Sequence, residues 1–275
     1  MILALDIGGT NIRSAIVEKT RIINYKKIKT PKNKKEILET LNEIIKSYEK
    51  PDKICVSAAG FERNGIMQHS LHADINEISL SKILKSKFHV PVYLDNDANC
   101  AGLAELHYGA GKSLNNFVLL TLGTGIGGAI IINKKLYRGK GGAGEIGSMI
   151  IDDKTIFENL ASGNASVEIA KKFGFKKTDS FELEAKANKG DKKALAVYQK
   201  IGEYLGIGLA NLAYIFDPDA IILGGGFSRV KHIYAPAQKT LNKLYNLNPK
   251  PKILNAKFSD NAGLIGAALL SKESL

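Results

Sequence analysis

The sequence is poor in cysteine and has no long apolar run. Cys55 and Cys100 are the only cysteines and form no Cys-x-x-Cys pair, so neither a disulfide framework nor a zinc knuckle is predicted. Apolar runs such as 129–132 and 220–223 are far too short to span a bilayer. The first residues carry neither the basic segment nor the cleavage site of a signal peptide. We therefore expect a cytoplasmic protein with two buried cysteines and no membrane partner.

Arginine is also scarce, although the chain is basic. The formal net charge is +12, from 39 basic and 27 acidic residues, and only five of the basic residues are arginine. Nucleic-acid surfaces favour arginine and cluster their charge, whereas the lysines here are spread along the chain, as at 26–35 and 171–177. Nucleic-acid binding is therefore disfavoured. A basic surface can still attract anionic substrates such as nucleotides.

Two similar stretches of the chain predict an internal repeat of architecture. An apolar strand at 2–5, a glycine turn after Asp6 and a second strand at 12–17 form the first stretch. The same order recurs as a strand at 117–122, a glycine-rich turn at 123–128 and a strand at 129–132. This repeat predicts two related α/β halves with a central cleft.

The remaining hydrophobic periodicity alternates between helical and strand spacing. Ser79 and Asp191 precede two of the predicted helices and are plausible caps. Predicted helices cover 34–48, 79–88, 98–108, 164–173, 191–216, 229–245 and 262–271, and further strands cover 21–28, 53–58, 90–94, 220–223 and 252–255.

Three glycine-rich turns, each after an apolar strand, are suited to binding a nucleotide. Glycine lets backbone N–H groups approach phosphate oxygens closely. The pattern Gly-x-Gly-x-x-Gly at 123–128 also fits a dinucleotide fold, but that fold requires a helix at the turn, whereas 129–132 is β-type. The residues predicted to contact ATP are Gly8, Gly9, Thr10, Asn11, Gly123, Thr124, Gly125, Gly224 and Gly225.

The sequence Asp95-Asn96-Asp97 supplies a carboxylate between a predicted strand and a predicted helix. A carboxylate at this point can accept the proton of a hydroxyl group that attacks a phosphate. The alternative is that Asp97 only caps the helix beginning at Ala98. Both readings are open from the residues alone.

The ordered set of motifs resembles the ROK family of sugar kinases and related repressors over nearly the whole chain. The motifs are Leu5-Asp6-Ile7-Gly8-Gly9-Thr10, Asp95-Asn96-Asp97-Ala98-Asn99, Leu122-Gly123-Thr124-Gly125-Ile126-Gly127-Gly128, Gly144-Glu145-Ile146-Gly147, Ala161-Ser162-Gly163 and Leu223-Gly224-Gly225-Gly226. The resemblance implies a two-lobed actin-like or hexokinase-like (ribonuclease H-like) α/β fold of duplicated domains. We expect a small lobe at 1–109, onto which a C-terminal helix at 261–275 packs back, and a large lobe at 110–260.

The same resemblance implies a role for each matched residue, with ATP and Mg²⁺ as cofactors. Asp6 would lie beside Mg²⁺ and the phosphates, Asn96 would hold a sugar hydroxyl and Asp97 would be the catalytic base. Glu145 and Glu158 match two carboxylates that bind sugar hydroxyls. Glu158 can equally be an exposed residue in the first turn of a helix.

The sequence departs from the family pattern in two places. Ser148 stands where many members have a histidine that contacts the sugar, and residues 149–160 contain no cysteine or histidine, so structural zinc is not expected. The family's Pro-Asn-Leu sugar loop is also missing, and His72, Asp74 or Asn76 can substitute for its asparagine.

The resemblance favours a kinase for the 6-hydroxyl of glucose, with N-acetylmannosamine and N-acetylglucosamine as alternative acceptors. A ROK regulator would carry a DNA-binding module before the first strand, and a non-catalytic sugar-binding relative would be expected to lose Asp97. The expected assembly is a homodimer.

Overall fold

The computed structural model describes residues 1–70 and 73–273, which divide into two compact units. The first unit contains Met1–Lys112, Leu136–Ala143 and the chain from Asp260 onward, and the second contains Ser113–Lys135 and Gly144–Ser259. The large lobe expected at 110–260 is interrupted, because Leu136–Ala143 belongs to the first unit.

The first unit is built on a mixed sheet whose strand order is β3-β2-β1-β4-β7. β1 pairs antiparallel with β2, which pairs antiparallel with β3, while β1, β4 and β7 run parallel. The strands are β1 Ile2–Ile7, β2 Asn11–Glu18, β3 Arg21–Lys29, β4 Lys53–Ala58 and β7 Val92–Asn96, with a separate hairpin formed by β5 Phe61–Arg63 and β6 Ile66–Gln68.

The second unit repeats this topology, with strand order β10-β9-β8-β13-β14. β8 pairs antiparallel with β9 and parallel with β13, which in turn pairs parallel with β14. The predicted repeat of architecture is thereby confirmed. The strands of this sheet are β8 Phe117–Leu122, β9 Ile126–Ile132, β10 Lys135–Leu136, β13 Ala220–Gly224 and β14 Lys252–Asn255, and the unit also has a hairpin of β11 Ile150–Asp152 and β12 Thr155–Ile156. The boundary between the two units falls within β10, after Lys135.

Helices pack on both sheets, and their caps agree in part with the sequence. The Asp191 carboxylate accepts the N–H of Ala194 at 2.9 Å, as predicted. Ser79 makes no side-chain cap bond, because its ψ of 77° lies outside the extended region of ordinary N-caps. The helices are α1 Lys34–Lys46, α2 Leu80–Phe88, α3 Asp97–Tyr108, α4 Glu158–Ala161, α5 Gly163–Lys172, α6 Ser180–Asn188, α7 Lys192–Phe216, α8 Tyr234–Leu244 and α9 Ala262–Leu270.

Several element boundaries differ from the prediction for identifiable reasons. β7 continues to Asn96 because Asp95 and Asn96 pair with Ser57 and Ala58 of β4. β9 begins at Ile126, so the second glycine turn is shorter than predicted, and its pairing with β8 excludes the dinucleotide fold. α6 and the β5–β6 hairpin are not among the elements predicted from the sequence.

Each unit has its own hydrophobic core. Leu5, Ile37 and Val56 are fully buried in the first, and Leu120 and Phe157 are fully buried in the second. In the first unit α9 packs against α3, β1 and β4. No helix in the described ranges combines the length and apolar character needed to cross a membrane.

The contact of α9 with α3 yields a stability prediction. A Cβ on Gly266 would lie 1.7 Å from the carbonyl oxygen of Cys100, which belongs to helix backbone that cannot move aside cheaply. Gly266→Ala should therefore destabilise the protein by about 3 kcal/mol, the upper end of ordinary overpacking costs, despite the better helix propensity of alanine.

Urea denaturation followed by circular dichroism measures this effect. Gly226→Ala is the matched control, since a Cβ there meets no atom within 4 Å. Equal unfolding midpoints for the two variants would show that α9 does not lie against α3 as described.

Candidate active site

A row of polar residues crosses the first sheet at the carboxyl ends of its parallel strands. The strand register aligns Arg13 with Asp6, Asp6 with Ser57 and Ser57 with Asp95. Ligands of open α/β sheets bind beyond the carboxyl ends of the strands. The row is therefore the natural starting point for a binding site in this unit.

Asp6 is the central carboxylate of this row, and its side chain is only 16% exposed. Its Oδ1 accepts a hydrogen bond from Ser57 Oγ at 2.7 Å, and Arg13 Nη1 lies 3.5 Å from its Oδ2. Burial raises the pKa of Asp6 above its ordinary value, and the Ser57 hydrogen bond and the Arg13 charge oppose that rise. Burial of the Asp6 carboxylate therefore costs stability when the group is ionised.

Asp95 anchors the turn between β7 and α3. Its Oδ1 accepts the backbone N–H of Asn96 and the side-chain N–H of Asn99, both at 2.7 Å. Its Oδ2 accepts from Arg138 Nε, also at 2.7 Å. Both carboxylate oxygens of a buried residue are therefore occupied, and Asp95 has a structural role.

Asn96 rather than Asp97 is the N-cap of α3. The Asn96 Oδ1 accepts the N–H groups of Ala98 and Asn99 at 2.8 and 3.3 Å, and its Nδ2 donates to Gly60 O at 3.0 Å. Asp97 is the first helical residue, and its Oδ1 accepts the N–H of Ala98 at 2.8 Å. Asn96 therefore provides most of the capping that was considered for Asp97. The sugar-binding role of Asn96 stays a prediction.

Cys100 lies near three carboxylates of the first unit. Burial raises the pKa of its thiol well above 9.0, and the negative charges of Asp95, Asp6 and Asp97 raise it further. Asp6 at the end of β1 and Asp97 at the start of α3 therefore lie near the same buried thiol. Two carboxylates far apart in sequence share one neighbourhood, as a phosphoryl-transfer site needs.

The first glycine turn lies beside this cluster and is exposed at Gly9 and Thr10. The N–H of Gly8 donates to Asn11 O at 3.1 Å, which closes the turn. Thr30, which directly follows β3, holds the turn: its hydroxyl donates to Gly8 O at 2.6 Å and its backbone N–H donates to Thr10 O at 3.0 Å. The turn is thus fixed from behind and exposed at its tip.

In the second unit, the turn from Gly123 to Gly125 joins β8 to β9 at the equivalent place in the repeat. The segment carrying Glu145 packs directly on the start of β9, because a Cβ on Gly144 would lie 2.6 Å from Gly128 O. Glu145 is half-buried and precedes a short 3-10 turn. A predicted sugar ligand and a predicted phosphate turn are thus neighbours within this unit.

Glu158 has a defined structural partner in that same region. Its Oε2 accepts the backbone N–H of Ile126 at 2.8 Å, and a Cβ on Gly125 would lie 2.0 Å from this oxygen. The N–H groups of Gly163 and Asn164 donate to the carbonyl oxygens of Gly123 and Thr124 at 2.8 and 3.2 Å. Glu158 therefore braces the second glycine turn, and sugar binding by this residue stays a prediction.

The third glycine turn, predicted to receive adenosine, borders a hollow of about 280 Å³. Gly224, Gly225, Arg229 and Tyr234 line it. A Cβ on Gly225 would lie 2.3 Å from Leu122 O, so this glycine is required by the packing of the strands themselves. The hollow is slightly smaller than the ~300–1,000 Å³ of typical ligand pockets.

The residues considered for a sugar loop have other partners or fall outside the described ranges. His72 lies outside the described residues. The Asp74 carboxylate accepts the backbone N–H of Lys34 at 3.0 Å, and the Asn76 amide is hydrogen-bonded to the backbone of Ser70 at 2.8 Å in both directions. Residues 1–70 and 73–273 contain no group of three or more His, Cys, Asp or Glu side chains arranged to hold a metal ion.

Sequence reasoning missed three residues that shape this site: Arg13, Ser57 and Arg138. Arg13 and Ser57 flank Asp6 only because of the strand register, which is not readable from separate strands. Arg138 belongs to a segment that follows β8 and β9 of the second sheet in sequence but groups with the first unit. The arginine in the stretch before Gly144-Glu145 is visible in the sequence. Nothing in the sequence indicates that its partner is Asp95.

Comparison with known proteins gives a consistent result over the whole chain. A model described as ROK family matches residues 2–274. The chain is 30% identical to a glucokinase of Streptomyces coelicolor, over 98% of this chain and 97% of that protein. It is 30% identical to an N-acetylmannosamine kinase of Haemophilus influenzae, over 99% and 96% respectively. A crystal structure of a ROK family glucokinase from Streptomyces griseus, in complex with glucose and AMPPNP, superposes with a TM-score of 0.85 at 28% identity and 98% coverage of both chains.

The raised pKa of Asp6 predicts that removing its charge stabilises the protein at neutral pH. The folded state holds the Asp6 proton more tightly than the unfolded state, so Asp6 lowers stability as pH rises from its ordinary 3.8 through the raised folded pKa. Asp6→Asn keeps an oxygen that accepts from Ser57 and lacks the charge. At pH values above the folded pKa of Asp6, Asp6→Asn should therefore unfold at a higher urea concentration than the wild type.

The advantage of Asp6→Asn should shrink as the pH falls toward 3.8. Asp179→Asn is the control, because Asp179 is an exposed helix cap whose substitution should give no such stabilisation. A lower midpoint for Asp6→Asn at neutral pH would show that Arg13 and Ser57 outweigh the cost of burial.

Proposed function

The chain belongs to the ROK family and is an ATP-dependent sugar kinase with the duplicated, actin-like α/β fold of that family, and we propose that it phosphorylates the 6-hydroxyl of glucose. The observation that carries the phosphoryl-transfer site is the strand register that aligns Asp6, Ser57 and Asp95 at the carboxyl ends of the first sheet, two residues before Asp97 begins α3. The choice of glucose as acceptor is supported by the glucokinase relatives. The capping of α3 by Asn96 supports a chemical role for Asp97.

Asp97 acts in this proposal as the general base. One carboxylate oxygen is oriented by the N–H of Ala98, and the carboxylate accepts the proton of the sugar hydroxyl as the hydroxyl oxygen bonds to the γ-phosphorus. The bond between the γ-phosphorus and the bridging oxygen breaks, and ADP leaves with that oxygen. Asp97 then releases the proton to solvent, which balances the reaction as sugar and ATP to sugar phosphate, ADP and H⁺.

Asp6 is the residue of the first unit that fits Mg²⁺ binding. Mg²⁺ takes hard oxygen ligands and usually keeps waters and phosphate oxygens beside one or two carboxylates. The Ser57 hydrogen bond engages Oδ1 of Asp6, while the Arg13 contact to Oδ2 is long at 3.5 Å. Bound Mg²⁺ supplies charge neutralisation at the ATP phosphates.

The three glycine turns receive the nucleotide in this proposal. The backbone N–H groups and hydroxyls of the turns at Gly8–Asn11 and Gly123–Gly125 bind the phosphates. Gly224 and Gly225 border the hollow that this proposal assigns to the nucleoside, and Arg229 adds a cation to its lining. The basic excess of the chain favours the approach of an anionic donor.

Sugar hydroxyls are assigned to Asn96, Asp97, Glu145 and Glu158. The Oδ1 of Asn96 is used for the helix cap, and one N–H of its Nδ2 donates to Gly60 O. The second N–H of Nδ2 is the donor assigned to the sugar. Glu158 uses one oxygen to hold Ile126. The fold therefore already holds the side chains of Asn96 and Glu158 in place before the sugar binds. This lowers the entropy cost of binding the sugar.

The 30% identity to an N-acetylmannosamine kinase makes that sugar the second candidate acceptor. Ser148, which ends the 3-10 turn after Glu145, is exposed and small. A coupled assay with ATP and a panel of glucose, N-acetylmannosamine and N-acetylglucosamine distinguishes the acceptors. Glucose should give the highest kcat/KM, and a clear preference for an N-acetylated sugar would replace the glucose assignment.

The base role predicts a large kinetic effect for Asp97→Asn. Asparagine keeps an oxygen for the N–H of Ala98 but cannot accept the hydroxyl proton, so kcat should fall by about 10²–10⁴-fold with little change in the KM for sugar. Steady-state kinetics with circular dichroism measures both activity and fold. Asp179→Asn changes another helix-start carboxylate and should leave kcat unchanged. A variant Asp97→Asn that keeps most of its activity would contradict the base role.

Activity should require Mg²⁺ and should survive removal of zinc. Residues 149–160 contain no cysteine or histidine, and the β11–β12 hairpin there is held by Tyr204 Oη donating to Asp152 Oδ2 at 2.9 Å. EDTA should abolish activity, excess Mg²⁺ should restore it, and a zinc-selective chelator should have no effect. Stoichiometric zinc in purified protein, measured by elemental analysis, would contradict this prediction.

A further inference from the structure

The segment Leu136–Ala143, here called the return segment, belongs to the first unit although the chain before and after it belongs to the second. Gly144 and Glu145 follow it directly in sequence. Two arginines attach the return segment to the rest of the first unit. Arg138 donates its Nε to Asp95 Oδ2 at 2.7 Å, and Lys140 O accepts from Arg63 Nε at 3.1 Å.

The two attachments differ in what they hold. Arg63 is exposed and binds a carbonyl oxygen of the return segment itself. Arg138 binds a carboxylate whose side chain is only 9% exposed and whose other oxygen fixes the backbone of Asn96 and the amide of Asn99. One ion pair therefore bears on the turn that leads into α3.

We propose that Arg138 is a positioning residue that holds Asp95 and, through Asp95, the turn that places Asp97 and Asn96. The proposal rests on the proposed function for its catalytic consequence. Its chain of contacts is Arg138 Nε to Asp95 Oδ2, then Asp95 Oδ1 to the N–H of Asn96. Asp97 follows Asn96 with a single peptide bond between them, so a shift of Asp95 moves the base.

The energetics favour a strong effect of this pair on geometry. A hydrogen bond between an ionised donor and an ionised acceptor is roughly twice as strong as a neutral one. Removing one partner of a buried pair leaves the other as an uncompensated charge. Without Arg138, Asp95 must turn toward water or take up a proton, and either change loosens its hold on Asn96 and Asn99. Misplacing a reacting group by about 1 Å can cost about 10²-fold in rate.

A direct contact of Arg138 with a substrate is the competing role. The Arg138 Nη2 is buried, and it has no hydrogen-bond partner within residues 1–70 and 73–273. A group aimed at a ligand would contribute to binding and would act independently of Asp95. The two roles therefore predict different kinetic patterns for the same substitution.

The first experiment compares Arg138→Met with Arg63→Met, which removes the other arginine that attaches the return segment to the first unit. Arg138→Met should lower kcat by about 10–100-fold with little change in the KM for sugar or ATP. Arg63→Met should retain wild-type kcat. Equal losses in both variants would show that general anchoring of the return segment matters, and a loss expressed in KM alone would show direct binding. Either result overturns the proposal.

A double-mutant cycle then tests whether Arg138 acts through Asp95. Asp95→Asn and Arg138→Met should each lower kcat, and the double variant should be little worse than the more damaged single variant, because both break one contact. Additive losses would overturn the proposal.

Amide hydrogen exchange separates this proposal from the proposed function, because it needs no activity. The N–H groups of Ala98 and Asn99, which the Asn96 cap protects, should exchange faster in Arg138→Met than in the wild type or in Arg63→Met. Unchanged exchange would overturn the positioning role whichever sugar is phosphorylated. A wild-type protein inactive on every sugar, with the exchange difference intact, would instead overturn the proposed function alone.

Discussion

The strand register of the first sheet is the constraint on which the carboxylate cluster depends. The register aligns Asp6 with Arg13 on one side and Ser57 on the other, and Ser57 with Asp95. A slip of one residue would send every side chain of a strand to the opposite face. It would leave Asp6 without the hydroxyl and the guanidinium that offset its burial. The apolar residues that alternate with these polar residues along the strands, such as Leu5 and Val56, fix the register by filling the core.

In the second unit, a different constraint holds the loops, namely the approach of backbone to backbone. A Cβ on Gly128 would lie 2.7 Å from Gly144 O, and one on Gly163 would lie 2.8 Å from Gly123 O. Only glycine permits such contacts, which bring the segments of Glu145 and Ser162 against the second turn. The glycines that suggest a phosphate site in the sequence are therefore also the residues that assemble the region. Their presence is evidence for the fold first and for ligand binding second.

The repeat, the strand–turn–strand motifs and most helices were predictable, because hydrophobic periodicity and glycine turns are local signals. β4, β8 and β14 have the predicted bounds. The polar helix α6 and the β5–β6 hairpin lack a strong apolar pattern and were missed. In the site, Asp6 and Asp97 were found from motifs, whereas Arg138 and Ser57 were not, because their partners are 43 and 51 residues away in sequence. Long-range pairing of this kind is set by tertiary packing, which a single sequence does not reveal.

The sequence Asp95-Asn96-Asp97 divides three tasks among three neighbouring residues. A helix cap requires an acceptor oxygen turned toward backbone N–H groups, and Asn96 provides it without a charge. An anchor requires both oxygens of a buried carboxylate to be bonded, and Asp95 meets that condition. A base requires a carboxylate whose position is fixed while its capacity to accept a proton is retained. Asn96 and Asp95 carry the cap and the anchor, and Asp97 Oδ1 accepts the N–H of Ala98 at 2.8 Å, so the carboxylate of Asp97 is oriented at the start of α3, which is the position that the proposed proton transfer needs.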